Sequence, residues 1–140
     1  MVGSRVNGDS RVEPKIAGKL LVIDDDDSFR EALTELLRSD GFEVETASHA
    51  TAAVAQLQSK IFDAVLSDLV MPGNGHLVVE YVRTHQPHTP VIVISSHASL
   101  RQTLALRGWR SVPYLCKPVR FAQVLEALEH AIAGRVPAAD

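Results

Sequence analysis

The sequence predicts an α/β domain: a five-stranded parallel sheet with helices on both faces. Two observations predict it. Short apolar runs alternate with segments whose apolar residues recur at helical spacing, from residue 20 to residue 132. Three of the strand-like runs also end on polar groups. Leu20-Leu21-Val22-Ile23 is followed by Asp24-Asp25-Asp26-Asp27, Ala64-Val65-Leu66-Ser67 by Asp68, and Val112-Pro113-Tyr114-Leu115-Cys116 by Lys117-Pro118. The carboxyl ends of the strands of a parallel sheet share one edge, where ligands bind, so these groups should converge. Right-handed crossovers allow the sheet to be doubly wound, but pattern alone leaves the strand order open.

Residues 20–23 form the expected first strand. Phe29, Ala32, Leu33, Leu36 and Leu37 mark the first helix, which Gly41 stops. Residues 42–47 alternate with period two and read as a partly exposed strand. Ser48 is placed to cap a second helix with Ala52, Ala55 and Leu57 or their neighbours on its inner face. Residues 62–67 are a buried strand. Leu77, Val78, Tyr81 and Val82 mark a third helix that ends before Pro87. Residues 91–94 are the fourth strand, and residues 99–106 a weaker helix closed near Gly108. Residues 112–116 are the fifth strand. Phe121, Val124, Leu125, Leu128 and Ile132 give the clearest helical stripe. Residues 1–18 have no apolar period and read as a flexible leader; residues 134–140 carry Gly134 and Pro137 and read as a flexible tail.

A chain of 140 residues suits one domain with a sizeable core, and 46% apolar with 22% charged residues is within the globular range. A net charge of −3 argues against a general nucleic-acid surface. The single cysteine, Cys116, excludes an internal disulfide and a cysteine zinc cluster, and its strand context reads as a core thiol. No stretch approaches a membrane span and no signal peptide is evident, so a soluble cytoplasmic protein is expected. The histidines are scattered; His85 and His88 flank Pro87 as solvated loop residues rather than zinc ligands.

Clustered carboxylates repel one another and call for a cation. Oxygen-only ligands at an open strand edge suit Mg²⁺, which keeps several waters and engages phosphate. Asp26, Asp27 and Ser28 have a second use, since acids and short polar residues favour helix N-termini.

Four motifs in order carry a resemblance: Leu-Val-Ile-Asp-Asp-Asp at 21–26, Ser-Asp-Leu-Val-Met-Pro at 67–72, Pro-Val-Ile-Val-Ile-Ser-Ser at 90–96 and Tyr-Leu-Cys-Lys-Pro at 114–118. The chain resembles the receiver domain of bacterial two-component response regulators, including the chemotaxis regulators, over residues 19–133. The resemblance implies a flavodoxin-like doubly wound five-stranded sheet of order 2-1-3-4-5 with five helices. It implies that Asp68 is the phosphoacceptor, attacking the phosphohistidine of a histidine kinase or a histidine phosphotransfer protein. Asp25 would be a direct Mg²⁺ ligand, and Asp24 either a ligand through water or an acid that supports the ligands without touching the metal. Asp68 and the backbone carbonyl of Val70 would complete the protein's share of the metal site. Ser95 and Lys117 would bind the phosphoryl group, and Tyr114 matches the aromatic switch position. Ser95 also reads as a plain strand-end hydroxyl, and Tyr114 as an ordinary half-buried tyrosine. Val70 and His97 match positions that tune hydrolysis of the aspartyl phosphate.

The family's output face is formed by the fourth helix, fifth strand and fifth helix. It would bind a downstream protein or output domain, or a second copy in a homodimer, and Leu100, Leu104, Trp109 and Tyr114 are its expected responsive residues. Such a protein is not an enzyme beyond promoting its own phosphorylation and dephosphorylation. It has no membrane or direct nucleic-acid partner. A haloacid-dehalogenase-type phosphatase shares the Asp, Ser, Lys and Mg²⁺ set, but it needs a second acid where this chain has Val70. A pseudo-receiver that only binds partners is the other alternative.

Two departures stand out against the family pattern. Gly75 comes seven residues after Asp68 rather than eight, so this loop is one residue short. The stretch Gly108-Trp109-Arg110-Ser111-Val112-Pro113-Tyr114 is longer than the family's, which predicts a short or displaced fourth helix.

Overall fold

The computed structural model describes residues 18–71, 73–96 and 100–134. The expected leader and tail therefore fall, but for Gly18 and Gly134, outside the described residues, as does His97. Five strands alternate with five helices: β1 (Lys19–Ile23), α1 (Asp27–Ser39), β2 (Glu43–Ala47), α2 (Ala50–Ser59), β3 (Ala64–Ser67), α3 (His76–His85), β4 (Val91–Ser95), α4 (Leu100–Leu106), β5 (Tyr114–Cys116) and α5 (Phe121–Ala133). All neighbouring strands are parallel and the order is β2-β1-β3-β4-β5. This is the doubly wound sheet that the sequence predicts.

Strand alternation divides the core between the two faces. Leu21, Ile23, Val65, Val91 and Val93 pack with residues of α2, α3 and α4. Leu20, Val22, Leu66, Ile92 and Ile94 pack on the other face with Leu33, Leu37, Val124 and Leu128 of α1 and α5. The three central strands are buried along nearly their whole length, which is why they read as continuous apolar runs.

Several helix faces differ from expectation. On α1, Leu33 and Leu37 are buried whereas Ala32 and Leu36 are exposed; the inward stripe is Phe29, Leu33 and Leu37 at four-residue spacing. The cap of α2 is His49, whose Nδ1 accepts from the Ala52 amide at 3.2 Å, and not Ser48. That start turns Ala50, Ala53 and Leu57 inward and leaves Ala55 exposed. On α3, Val78, Val79 and Val82 face the core and Leu77 faces out. β5 begins at Tyr114 rather than at residue 112. It is an edge strand, and Cys116 at its exit is exposed and is not a core thiol. Leu100, Leu104 and Trp109 are buried rather than part of a surface, because the short α4 turns its apolar side onto the sheet. Its outer side carries Arg101 and Leu106, the latter 89% exposed.

The β3–α3 loop closes through two consecutive left-handed residues, Gly73 (φ 84°) and Asn74 (φ 66°). Gly75 then passes directly over the end of β3. A Cβ at Gly75 would lie 2.5 Å from the Leu69 carbonyl oxygen and 2.7 Å from that of Asp68. Both are backbone atoms that cannot swing away. Gly75→Ala should therefore cost roughly 2–3 kcal/mol of overpacking, read as a lower denaturation midpoint at unchanged m-value.

Candidate functional site: an acid cluster and a lysine at the strand ends

The sheet register brings the polar strand ends together. Ile23 pairs with both Ala47 and Ser67, and Ser95 pairs with Cys116. The next residues continue the ladder. The Asp24 amide donates to the Ala47 carbonyl at 3.1 Å, the Asp68 amide to that of Ile23 at 3.0 Å, and the Lys117 amide to that of Ser95 at 2.9 Å. Asp24, Asp68 and Lys117 thus emerge at one edge on backbone fixed by the sheet.

Asp24, Asp25 and Asp68 each present a carboxylate oxygen within 4.8 Å of the others. Lys117 Nζ lies 2.7 Å from Asp24 Oδ2 and 3.4 Å from Asp68 Oδ2. The second oxygen of each buried acid is also held, Asp24 Oδ1 by the Asp26 amide at 2.9 Å and Asp68 Oδ1 by the Val70 amide at 3.0 Å. Asp24 is 2% exposed and Asp68 6%, whereas Asp25 opens to solvent. The Asp24 carbonyl accepts from Arg30 Nη1 at 2.8 Å, and the Ser67 hydroxyl donates to the Asp68 carbonyl at 2.9 Å.

Three carboxylates against one ammonium leave a formal excess of two negative charges. Burial pushes the Asp24 carboxyl above its ordinary value. The Lys117 hydrogen bond and the Asp26 amide oppose this, and the charge of Asp68 adds to it. For Lys117, burial disfavours the ammonium, but the hydrogen bond and charge of Asp24, joined by Asp68, more than offset it, so its pKa is raised. Both directions reflect one condition, a buried site that is short of positive charge.

The remaining expected residues are placed less uniformly. Ser95 is fully buried at the end of β4, beside Lys117 in the ladder. Tyr114 lies farther back on β5, half-buried, and its hydroxyl accepts from Arg101 Nε of α4 at 3.1 Å. Val70 holds Asp68 through its amide, and its side chain is 61% exposed. Asp26 accepts from the Phe29 amide at 3.1 Å and caps α1, and Asp27 pairs with Arg30; both serve the helix N-terminus. Two neighbours of the site went unread in the sequence. Arg30 grips the Asp24 carbonyl, and the Phe29 ring lies 4.2 Å from Lys117 Nζ. An arginine six residues beyond a strand-end acid is a local signal for the first; nothing local signals the second.

Residues 20–129 match the family model of the response regulator receiver domain. The chain is 30% identical over 126 residues to the response regulator protein FleR of Pseudomonas aeruginosa, covering 89% of this chain and 27% of that one. It is 33% identical over 121 residues to the transcriptional regulatory protein ZraR of Salmonella typhimurium, covering 84% and 27%. The chain thus spans about a quarter of the length of these curated relatives. Among solved structures it resembles a CheY-like receiver domain protein of Methanospirillum hungatei, with TM-score 0.78, 24% identity and coverage of 86% of this chain and 97% of that one. It also resembles the response regulator TrrA of Thermotoga maritima solved with Mg²⁺ and BeF, with TM-score 0.73, 28% identity and coverage of 81% and 97%. Fold, strand order and family model agree, and the chain belongs to the receiver domains of two-component response regulators.

Proposed function

We infer that residues 19–133 act as a phosphoacceptor switch in a two-component phosphorelay. Asp68 takes a phosphoryl group from the phosphohistidine of a histidine kinase or histidine phosphotransfer protein. The observation that carries this reading is the Lys117 ammonium set between Asp24 and Asp68, with Asp25 completing an acid cluster beside it. The attacking group would be a carboxylate oxygen of Asp68. It forms the new O–P bond as the donor's N–P bond breaks, and the departing imidazole nitrogen takes up a proton. The Val70 amide holds Asp68 Oδ1, and Asp68 Oδ2 faces the Lys117 ammonium. Lys117 shifts from balancing two carboxylates to neutralising the phosphoryl oxygens.

The three clustered acids and their unbalanced charge fit a divalent cation with oxygen ligands. Asp24, Asp25, Asp68 and the Val70 carbonyl would hold Mg²⁺, and the Mg²⁺–BeF complex of the Thermotoga relative supports that choice. Bound there, the cation supplies charge neutralisation to the transferring phosphoryl group. Ser95 would receive a phosphoryl oxygen, and movement of its loop would change the space available to Tyr114. The Arg101 contact would link Tyr114 to α4. The face of α4, β5 and α5 would then engage an output domain, a partner protein or a second copy. Among the described residues no helix is long and apolar enough to cross a membrane; a cytoplasmic setting accords with this reading. Catalysis beyond self-phosphorylation and self-dephosphorylation is not part of it.

The test is transfer from a radiolabelled phosphohistidine donor. Label should move to this chain in Mg²⁺ and remain on the donor in EDTA. Absence of label from every kinase and from small-molecule phosphodonors, all in Mg²⁺, would leave a binding-only domain.

The lifetime of the phosphorylated form should depend on Val70. Its exposed apolar side chain offers an attacking water no hydrogen bond and shields the in-line path. Val70→Asn should speed hydrolysis by roughly tenfold, about 1.4 kcal/mol of barrier. The readout is loss of label after donor removal in excess Mg²⁺. Equal or slower decay would show that shielding at this position does not set the lifetime.

A further inference from the structure

The Lys117 ammonium has a third neighbour besides its two carboxylates, the ring of Phe29, whose centroid lies 4.2 Å from Nζ. The other two cation–ring contacts described in the chain are longer, 5.9 Å for Lys19 over Phe62 and 5.5 Å for Arg107 over Trp109. An ammonium carries three N–H donors. Asp24 and Asp68 face two sides of this one, and the ring closes another with its electron-rich face.

The ring is held firmly enough to act as a stop. Phe29 stands in the first turn of α1, where its amide is tied to the Asp26 cap at 3.1 Å. The side chain packs against the core cluster under α1 and α5. Arg30, the next residue, binds the Asp24 carbonyl and so ties the same turn to the end of β1. Phe29, Val22, Leu33, Leu66, Asp68 and Ile94 border a gap behind the site that is too small to admit water. The ring thus shares a dry, apolar border with Asp24 and Asp68, and electrostatic contacts beside such a border are stronger.

We propose that Phe29 is a positioning residue for Lys117: its ring face holds the ammonium between the two acids, in reach of the phosphoryl group on Asp68. The inference rests on the phosphoacceptor reading given above. Lys117 is already nearer to Asp24 than to Asp68, by 2.7 Å against 3.4 Å. Without the ring, the ammonium settles further onto Asp24 and is less available at Asp68.

The test compares Phe29→Leu, Phe29→Tyr and a series of ring-fluorinated phenylalanines at position 29, in the full chain with acetyl phosphate and Mg²⁺. A cation–ring contact of this kind should make phosphorylation about two- to fivefold slower in Phe29→Leu. Phe29→Tyr should stay within about twofold of wild type, since the ring face is kept. Successive fluorination keeps the shape and drains the ring face, so the rate should fall stepwise with fluorine number. A purely structural role predicts no such gradient. The Lys117 ε-methylene proton resonances provide a readout without phosphate. They should show a ring-current displacement in wild type and Phe29→Tyr, and none in Phe29→Leu.

If wild type itself takes up no phosphoryl group, the phosphoacceptor reading fails. If wild type is labelled but the fluorinated series is flat, or the ring-current displacement is missing, the positioning role is wrong and the phosphoacceptor reading stands. Should Phe29→Leu unfold, the fluorinated series and the wild-type resonances still decide the question.

Discussion

Asp68→Asn should take up no phosphoryl group from any donor, and in Mg²⁺-free buffer it should be more stable than the wild type. The amide keeps an oxygen for the Val70 N–H, so the strand end retains its geometry. It removes the nucleophile and one of three clustered negative charges, while Lys117 keeps Asp24 as its nearer partner. Relief of like-charge repulsion in this partly hydrated site is expected to be about 1 kcal/mol, or roughly 3–6 °C in melting temperature for a domain of this size. Excess Mg²⁺ should narrow or reverse the difference, because a ligand stabilises the form that binds it more tightly. Thermal melts with and without Mg²⁺, beside phosphoryl incorporation, check both halves. A variant less stable than wild type in both buffers would mean that the acids are not under mutual strain.

Lys117→Met should separate two properties that the lysine links. Removing the ammonium leaves Asp24 and Asp68 without their shared cation. A fully buried pair broken in this way costs more, but Lys117 is partly open to solvent, so about 2 kcal/mol is expected. Mg²⁺ should bind at least about threefold more tightly, since the site is left more negative. Phosphoryl transfer should nonetheless slow by about a hundredfold, the scale on which a positioned charge at the reacting group contributes. Isothermal titration with Mg²⁺ and initial labelling rates give the two numbers. Weaker Mg²⁺ binding together with an unchanged rate would remove Lys117 from the proposed machinery.

The strand ends were legible because two requirements coincide there. A strand buried on both faces must be apolar along its length, as 20–23 and 64–66 are, and a functional edge must be polar at once, as Asp24 and Asp68 are. Strand order needed the family resemblance. The helix faces were less legible. In α2 alanines stand at 50, 52, 53 and 55, so shifting the start by one residue selects a different stripe with no loss of apolar character. In α3, Leu77 reads as core by type, but its turn directs Val78, Val79 and Val82 inward instead. Cys116 was misplaced because an apolar run does not reveal that its strand is an edge. The Phe29–Lys117 contact joins residues far apart in the chain, and it follows from how α1 packs on the sheet beside the end of β5. His76, after the β3–α3 loop, and Trp109, after Gly108, pack with ring centroids 5.8 Å apart. The longer stretch after Gly108 thus places its tryptophan inside the fold, where the sequence suggested a surface.

That Asp68 alone receives the phosphoryl group is the step on which the switch depends. It is tested most directly by phosphorylating the wild-type chain with acetyl phosphate, quenching in acid, reducing with borohydride and mapping the reduced residue by peptide mass spectrometry. One modified position is expected, Asp68, formed in Mg²⁺, absent in EDTA and lost under alkaline conditions before reduction. Modification at Asp24 or Asp25, or a hydroxylamine-resistant phosphoester on Ser67 or Ser95 with Asp68 untouched, would overturn it.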